Sequence, residues 1–242
     1  MTAPRYSLIV PAYNEERLLP RLLDSVDAAR AAYAGTGEVE VIVADNSSTD
    51  RTASVAAARG CRVVEVEKRV IAAVRNGGAR VAQGEILTFI DADSQVHPRT
   101  FAEIDAALAT GRAVGGATGV TLERWSAGIA VTYAILMTMV VVTGMDAGVV
   151  FCRRRDFETI GGYDEDVLIA EDVVFLQALR RLGKTRGQRL VRATSAKAVA
   201  STRKFDEFGD WHFFSIGVAG VRHLLTRDVA DFADRYWYKP NR

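Results

Sequence analysis

Two acidic residues with metal-binding chemistry follow a short apolar run near the middle of the chain. Asp91 and Asp93 come directly after Ile86–Ile90 and are separated by one alanine. Carboxylate oxygens are hard ligands, and proteins commonly hold Mg²⁺ and Mn²⁺ with a few of them plus substrate phosphates. In the simpler alternative, one aspartate caps the next helix and the other is solvated. The pair is a candidate metal site, and this interpretation is stronger if other polar loops lie at the same edge.

Polar loops also follow two earlier apolar runs. Pro11–Glu15 comes after the first run and Asp45–Asp50 after the second. Asp, Asn and Ser side chains bond to backbone groups and to ligands alike. Asp45 and Asn46 are closest to the end of the predicted strand and are the binding candidates. The rest of that loop fits a turn and the cap of a helix.

The second half offers one candidate for acid–base chemistry. Glu171 and Asp172 begin a predicted helix, where such a carboxylate could serve as general base to an acceptor hydroxyl. Two acids at a helix start are also favoured by the helix dipole alone. Arg75 lies on a predicted helix and offers a fork of donors suited to phosphate or carboxylate, although an isolated helical arginine is usually a surface residue.

The three histidines, His97, His212 and His223, show no metal-ligand spacing and are expected to be structural. His212 lies near Arg203 and Lys204, so it would reach a diphosphate or a metal if the C-terminal region folded over the site.

Strand and helix patterns alternate through the first half of the chain, with short connections. The predicted strands are Ser7–Val10 (ended by Pro11), Val39–Val43, Val63–Val66 and Ile86–Ile90, and the predicted helices are Leu18–Tyr33, a segment ending at Arg59, and Ile71–Gln83. This order predicts an α/β fold with a mostly parallel, Rossmann-like sheet and helices on both faces. Ligands bind beyond the carboxyl ends of such strands, so the three polar loops should converge on one edge.

The second half is less regular. Strands are predicted at Ala113–Val120 and Ala147–Phe151, and helices at Glu171–Leu182 and Phe208–Leu225. One domain is expected over residues 1–242, with a polar tail at 226–242.

Trp125–Met145 contains no charged residue and is just long enough for a membrane span of about 20 residues. Threonines and glycines dilute it, and it lies between two predicted strands. A buried or interfacial helix is therefore expected, with core packing favoured over contact with a membrane surface.

Composition narrows the class of protein. A formal net charge of +1 argues against nucleic-acid binding that relies on bulk positive charge. Cys61 and Cys152 are isolated, as expected of reduced thiols, and no apolar signal region follows Met1–Tyr6. A cytoplasmic protein is expected, with the inner face of the membrane as an alternative location.

These motifs, in this order, resemble those of the family 2 glycosyltransferases, an inverting family with the GT-A fold. The matching segments are Val10-Pro-Ala-Tyr-Asn-Glu15, Asp45-Asn-Ser-Ser-Thr-Asp50, Ala73-Val-Arg-Asn76, Gly84-Glu-Ile-Leu-Thr-Phe-Ile-Asp-Ala-Asp93, Arg153–Arg155, Ile160-Gly-Gly-Tyr-Asp164 and Glu171-Asp172. The resemblance covers about residues 6–185, and its first four segments together are highly specific.

The resemblance implies a role for each candidate. Tyr13 would lie against the base of a nucleotide-diphosphate sugar, with the rest of the donor pocket made by Pro11, Glu15, Asp45, Asn46, Arg75 and Asp91. Asp93, beside Asp91, would bind the Mn²⁺ or Mg²⁺ that carries the diphosphate. Asp172, next to Glu171, would take the proton of an unidentified acceptor. The domain would then consist of a nucleotide-binding half at about 1–110 and an acceptor-binding half at about 111–225.

One departure concerns the donor base. The family often has two consecutive aspartates where this chain has Asp45-Asn46, so a UDP-sugar is the first expectation and a GDP-sugar the second. Two alternatives stay open: a nucleotide-binding module without turnover, and a sugar nucleotidyltransferase. The latter would normally have a glycine-rich loop where this chain has Pro11–Glu15. A dinucleotide-dependent oxidoreductase is weaker, since no Gly-x-Gly-x-x-Gly follows any predicted strand.

Overall fold

The computed structural model describes residues 4–35, 37–168 and 170–211. The strands in this part of the chain are β1 (Tyr6–Ala12), β2 (Val39–Asp45), β3 (Arg62–Glu65), β4 (Ile86–Phe89), β5 (Ser94–Gln95), β6 (Ala113–Ala117), β7 (Val120–Leu122), β8 (Val150–Arg153), β9 (Arg189–Arg192) and β10 (Ala198–Ala200). The helices are α1 (Leu19–Ala32), α2 (Thr52–Ala58), α3 (Ile71–Val81), α4 (Thr100–Ala109), α5 (Ala127–Thr143), α6 (Arg154–Ile160), α7 (Glu171–Thr185) and α8 (Arg203–Phe208).

The main sheet has the strand order β3-β2-β1-β4-β8-β6-β9. The first four strands are parallel, β8 runs antiparallel to both of its neighbours, and β6 pairs parallel with β9. This confirms the predicted α/β class with a mostly parallel central sheet. The four strands predicted in the first half are present, with ends shifted by at most two residues.

Pro11 does not end β1, as the sequence suggested, but lies inside it opposite Ala44 of β2. The ladder with β4 stops at the pair Ile9–Phe89, and the Ile9 carbonyl then accepts from the Ile90 N–H. Alternate residues of a strand face the same neighbour, so Pro11 faces the β4 side beyond the end of that ladder. A residue without an N–H is tolerated there because no ladder bond is lost.

The sheet is covered on both faces because alternate residues of its central strands point in opposite directions. Leu8 and Val10 of β1 pack in one cluster with apolar residues of α1, α2 and α4. Ile9 packs in a second cluster with residues of α3, α6 and α7. Gly78 brings α3 close to β1, since a Cβ at that position would lie 2.5 Å from the Ile9 side chain.

The predicted strand Ala113–Val120 is two strands in the structure. β6 ends at Ala117, the chain turns at Gly119 with a φ of +80°, and β7 joins the small sheet β5-β10-β7. The strand predicted at Ala147–Phe151 starts later, at Val150, after Gly148 with a φ of +90°. Positive φ favours glycine and interrupts an extended strand, which is why both predicted boundaries were wrong.

The apolar segment forms α5, but the expectation that it packs in the core was wrong. Its buried residues are Gly128, Ile129 and Thr132, all near its N-terminus. The rest of the helix presents large apolar side chains to solvent, namely Val131, Ile135, Leu136, Met139, Val141 and Val142. Among the described residues, no helix is both long enough and apolar enough to cross a membrane.

The last described helix, α8, is short. It is held by Thr202 and Phe205, which are both buried. The predicted helix Phe208–Leu225 starts at its last residue and lies almost entirely outside the described residues, as do His212, His223 and the tail at 226–242.

Candidate functional site

The loops after β1 and β2 end at the same edge of the sheet and are tied together. Ala12 and Asp45 are register partners, so both strands stop side by side. Beyond them, the Asn14 N–H donates to Ser48 Oγ (3.0 Å) and the Glu15 N–H to Thr52 Oγ1 (2.8 Å). These bonds between loops confirm that the two loops converge, and they fix the first wall of the site.

Asp45 and Asn46 are both buried, and both hold the backbone around them. The Asp45 carboxylate accepts from the Ser48 N–H at 3.1 Å and from the Ser48 hydroxyl. The Asn46 side-chain amide donates to the carbonyls of Val66 and Lys68, which follow β3. The amide nitrogen of Asn46 is thus used within the protein, and its side-chain oxygen is the atom to offer a ligand.

Tyr13 lies at the edge of this wall beneath a cation. The Arg69 guanidinium carbon is 5.1 Å from the centre of the Tyr13 ring, a cation–π geometry. Pro11, by contrast, is buried within β1. Arg69 could not be predicted from the sequence, because a cation–π pair between distant positions has no local pattern.

Arg75 joins the strand edge to the start of α7. It is buried, and its Nη2 donates to Asp91 Oδ1 at 2.9 Å and lies 3.3 Å from Asp172 Oδ2. Its Nη1 donates to Glu171 Oε1. Three of the acids singled out in the sequence, Asp91, Glu171 and Asp172, are therefore brought together around the Arg75 guanidinium. The family resemblance had implied that Arg75 lies near the nucleotide base or phosphates.

Asp172 has the environment of a base. Its side chain is 31% exposed, accepts a 3.0 Å bond from the Tyr163 hydroxyl, and lines a cavity of about 90 Å³ together with Arg75 and Asp91. Burial raises the pKa of Asp172 to about 6, against the lowering effect of the Arg75 charge. A carboxylate with a pKa near neutrality is suited to accept a proton. Tyr163, which holds the Asp172 carboxylate, was not predicted from the sequence. Its ring stacks on that of Phe175, with the ring centres 4.1 Å apart.

A second charged group surrounds Asp93. Arg203 donates to both oxygens of buried Glu15, at 2.8 and 2.6 Å, and its Nη2 lies 3.3 Å from Asp93 Oδ2. Burial is the main cause that raises the pKa of Asp93, and the charge of Asp91 adds to it. Lys204 faces the same acids, and its own burial lowers its pKa to about 8. The sequence had linked Arg203 and Lys204 to the site only through His212.

The donor atoms at this edge suit a hard divalent cation. Within the described residues there is no cluster of three or more His, Cys, Asp or Glu that would form an all-protein cage. Asp93 and the more exposed Asp91, 55% exposed, are two carboxylates that repel one another. Mg²⁺ and Mn²⁺ are bound in this way by one or two carboxylates, with substrate phosphates and water completing the shell. The residues present therefore fit such an ion.

Comparison with known proteins gives a consistent result. The model of glycosyl transferase family 2 matches residues 7–128, half of the chain. An uncharacterized glycosyltransferase of Mycobacterium tuberculosis is 34% identical over 118 residues, 46% of this chain and 50% of that protein. Validoxylamine A glucosyltransferase of Streptomyces hygroscopicus is 34% identical over 117 residues, 44% of this chain and 24% of that enzyme. The chain thus spans half or less of the length of these curated relatives.

Solved structures share the fold. TarS (residues 1–349) of Staphylococcus aureus in complex with UDP-GlcNAc has a TM-score of 0.63 at 21% identity, covering 82% of this chain and 58% of that one. A mannosyltransferase of Pyrobaculum calidifontis in complex with GDP-Man and Mn²⁺ has a TM-score of 0.60 at 24% identity, covering 83% and 57%. The two are GT-A glycosyltransferases, and at these identities the likeness establishes the fold. With the family match over half of its length, the chain belongs to glycosyl transferase family 2 and has the GT-A fold.

Proposed function

We propose that the protein moves a sugar from a nucleotide-diphosphate donor to an acceptor hydroxyl, with inversion at the sugar carbon. The observation that carries this proposal is the acidic cleft in which Arg75 holds Asp91, Glu171 and Asp172 together. A donor-binding edge and a proton acceptor then share one cavity, as a displacement reaction requires. Residues of about 1–110 would bind the donor and those of about 111–225 the acceptor.

The donor's nucleoside is assigned to the first wall. Tyr13 offers its ring to a base, and Asp45 and Asn46 offer oxygen atoms at the end of β2. UDP is our first choice of nucleotide and GDP the second. UDP-GlcNAc is present in the TarS structure and GDP-Man in that of the mannosyltransferase, so these neighbours support either choice.

The diphosphate is assigned to the edge with Asp93. A Mn²⁺ or Mg²⁺ ion held by Asp93, with Asp91 beside it, would neutralise charge on the leaving diphosphate. Mn²⁺ accompanies nucleotide ligands in the mannosyltransferase and in the glucosyl-3-phosphoglycerate synthase of Mycobacterium tuberculosis, which supports a divalent ion. Arg75 keeps Asp91 in place at this edge.

Asp172 is assigned the proton transfer. Its carboxylate takes the proton of the acceptor hydroxyl while the acceptor oxygen bonds to the sugar carbon and the bond to the diphosphate oxygen breaks. Tyr163 and Arg75 orient the carboxylate. Glu171, the other candidate from the sequence, is bonded to Arg75 and is less exposed than Asp172, so we assign it a positioning role.

The products of the reaction test this function. Incubation with UDP- and GDP-sugars and Mn²⁺ is expected to release the nucleoside diphosphate slowly by hydrolysis even without the acceptor. The assay is chromatographic separation of nucleotides and pyrophosphate. Pyrophosphate as the product would establish the nucleotidyltransferase instead. Donor binding without any turnover, with acceptors screened, would establish the nucleotide-binding module.

We also propose that α5 dips into the surface of a membrane, with the protein in the cytoplasm at the inner face of that membrane. Exposed apolar side chains lie on several sides of this helix, and Val142 is the most exposed of them at 80%. A single protein partner would cover one side of the helix, whereas lipid can surround several sides. Trp125 and Trp211, 51% and 55% exposed, lie at its first turn, and tryptophan favours membrane interfaces. Val120, a cavity-wall residue, accepts a bond from Tyr133 of α5, so a membrane-borne acceptor would arrive beside the cleft.

Flotation with phosphatidylcholine vesicles tests this contact. We expect the wild-type protein to float with the vesicles and the variant Leu136→Glu/Val142→Glu to stay in solution, because a charge in the apolar phase costs about 2.5–3.5 kcal/mol. Ala106→Glu, on the exposed face of α4, is the matched control and should float. A wild-type protein that does not float contradicts the proposal. So does a dimer that the double variant abolishes, which would assign α5 to a second copy.

A further inference from the structure

Two cations of α8 face the acidic edge of the donor site, and no role has been assigned to them so far. Arg203 and Lys204 begin the helix, which follows β10 of the small sheet. Thr202 and Phe205 are buried on either side of them, so the backbone that carries both cations is fixed by packing. The positions of Arg203 and Lys204 beside the cleft are therefore set by a packed segment of backbone.

Acidic and basic side chains lie close together at this edge. Three carboxylates, Glu15, Asp91 and Asp93, interact with each of the two cations. Arg203 is fixed most firmly, since two of its nitrogens bond to the two oxygens of Glu15. Such a bidentate pair orients the guanidinium and leaves its remaining N–H groups to other acceptors. Glu15 is buried, so its charge would be costly without the guanidinium as a partner. This cost favours a defined position for Arg203.

We infer that Arg203 and Lys204 bind the diphosphate of the donor and stabilise the negative charge that develops on it as the sugar leaves. Breaking the bond between the sugar carbon and the phosphate oxygen gives the diphosphate one further unit of negative charge. Fixed cations next to that oxygen stabilise the transition state more than the ground state. Glu15 is then a positioning residue for Arg203, and not a nucleotide contact as the sequence suggested.

This inference rests on the proposed function, because it needs a nucleoside diphosphate at Asp93. It gives the cleft two sources of positive charge, the bound ion and α8. The ion and the side chains should then act on the diphosphate and leave the nucleoside unaffected. Comparison of nucleotides that differ only in the number of phosphates separates these contributions.

Calorimetry with UDP and UMP, and with GDP and GMP, tests the role of α8. In the presence of Mn²⁺, Lys204→Met should weaken binding of the preferred diphosphate by about 10- to 100-fold, and its monophosphate much less. Lys204→Arg should retain most of the affinity. Arg203→Lys should show an intermediate loss, and it avoids leaving Glu15 without a cation. Arg80→Met, an exposed cation at the far end of α3, is the control and should bind like the wild type.

The kinetics of donor hydrolysis provide a second test. Lys204→Met should lower kcat for donor hydrolysis more than it raises KM, since the new charge appears only in the transition state. If Lys204→Met and Arg203→Lys both bind di- and monophosphates like the wild type, the inference is wrong and the proposed function stands. If the wild-type protein binds no nucleoside diphosphate, both fail. Thermal unfolding of each variant shows whether it is folded.

Discussion

Asp172→Asn is expected to lower the rate of sugar transfer by about 10²–10⁴-fold, the usual contribution of a positioned base. The amide has nearly the same shape and still accepts a hydrogen bond from Tyr163, but it takes no proton from an acceptor. Donor affinity should stay close to that of the wild type, since Asp91 and Asp93 remain in place. Steady-state kinetics and donor titration together measure the two effects.

Neighbouring acids provide the controls for this variant. Glu171→Gln should reduce the rate less than Asp172→Asn does, because Glu171 serves to hold Arg75. Asp166→Asn, an exposed change nearby, should leave the rate unchanged. A loss that is larger for Glu171→Gln would transfer the role of base to Glu171. An Asp172→Asn enzyme with the wild-type rate would remove Asp172 from the chemistry altogether.

The pH dependence follows from the same carboxylate. Its pKa is raised to about 6, so the reactive ionised form predominates above that pH and is lost as the pH falls below it. We expect kcat/KM of the wild type to fall about tenfold per unit below pH 6. An acid limb near pH 4 would mean that the base has an ordinary carboxyl pKa and is a different group.

Asp93→Asn is expected to remove the effect of the divalent ion on nucleotide binding. The loss of a residue that only orients a metal ligand costs about 10–100-fold in metal affinity, and loss of a charged ligand should cost at least that much. The electron paramagnetic resonance signal of free Mn²⁺, titrated with protein in the presence of UDP or GDP, measures the affinity. Asp24→Asn, exposed on α1, is the control. Equal Mn²⁺ affinity in Asp93→Asn and wild type would place the ion elsewhere.

The fold of the first half of the chain could be predicted from the sequence because its signals are local. An apolar run, a polar loop and an amphipathic helix follow one another three times, and parallel strands necessarily place their carboxyl ends at one edge. Asp91 and Asp93 could therefore be placed at this edge, after β4, without knowledge of any contact. One prediction in this half was wrong, namely that Pro11 ends β1. Whether a proline is tolerated there depends on where the ladder with β4 stops, and the sequence of one strand does not encode this.

The second half was harder because its key features depend on distant partners. The break at Gly119 requires β10, some eighty residues later, to pair with β7. The contacts of Arg75 could not be predicted, because its carboxylate partners Glu171 and Asp172 lie almost a hundred residues away in the sequence. Apolar composition also did not distinguish a core helix from an exposed one, so α5 was assigned to the core.

We expect the acidic edge to bind a nucleoside diphosphate through a divalent ion, and a calorimetric titration of the wild-type protein tests this most directly. UDP and GDP are each titrated with Mn²⁺ and without it. At least one of them should bind, and the ion should strengthen its binding. If neither nucleotide binds under either condition, the assignment of this edge as a donor site is wrong.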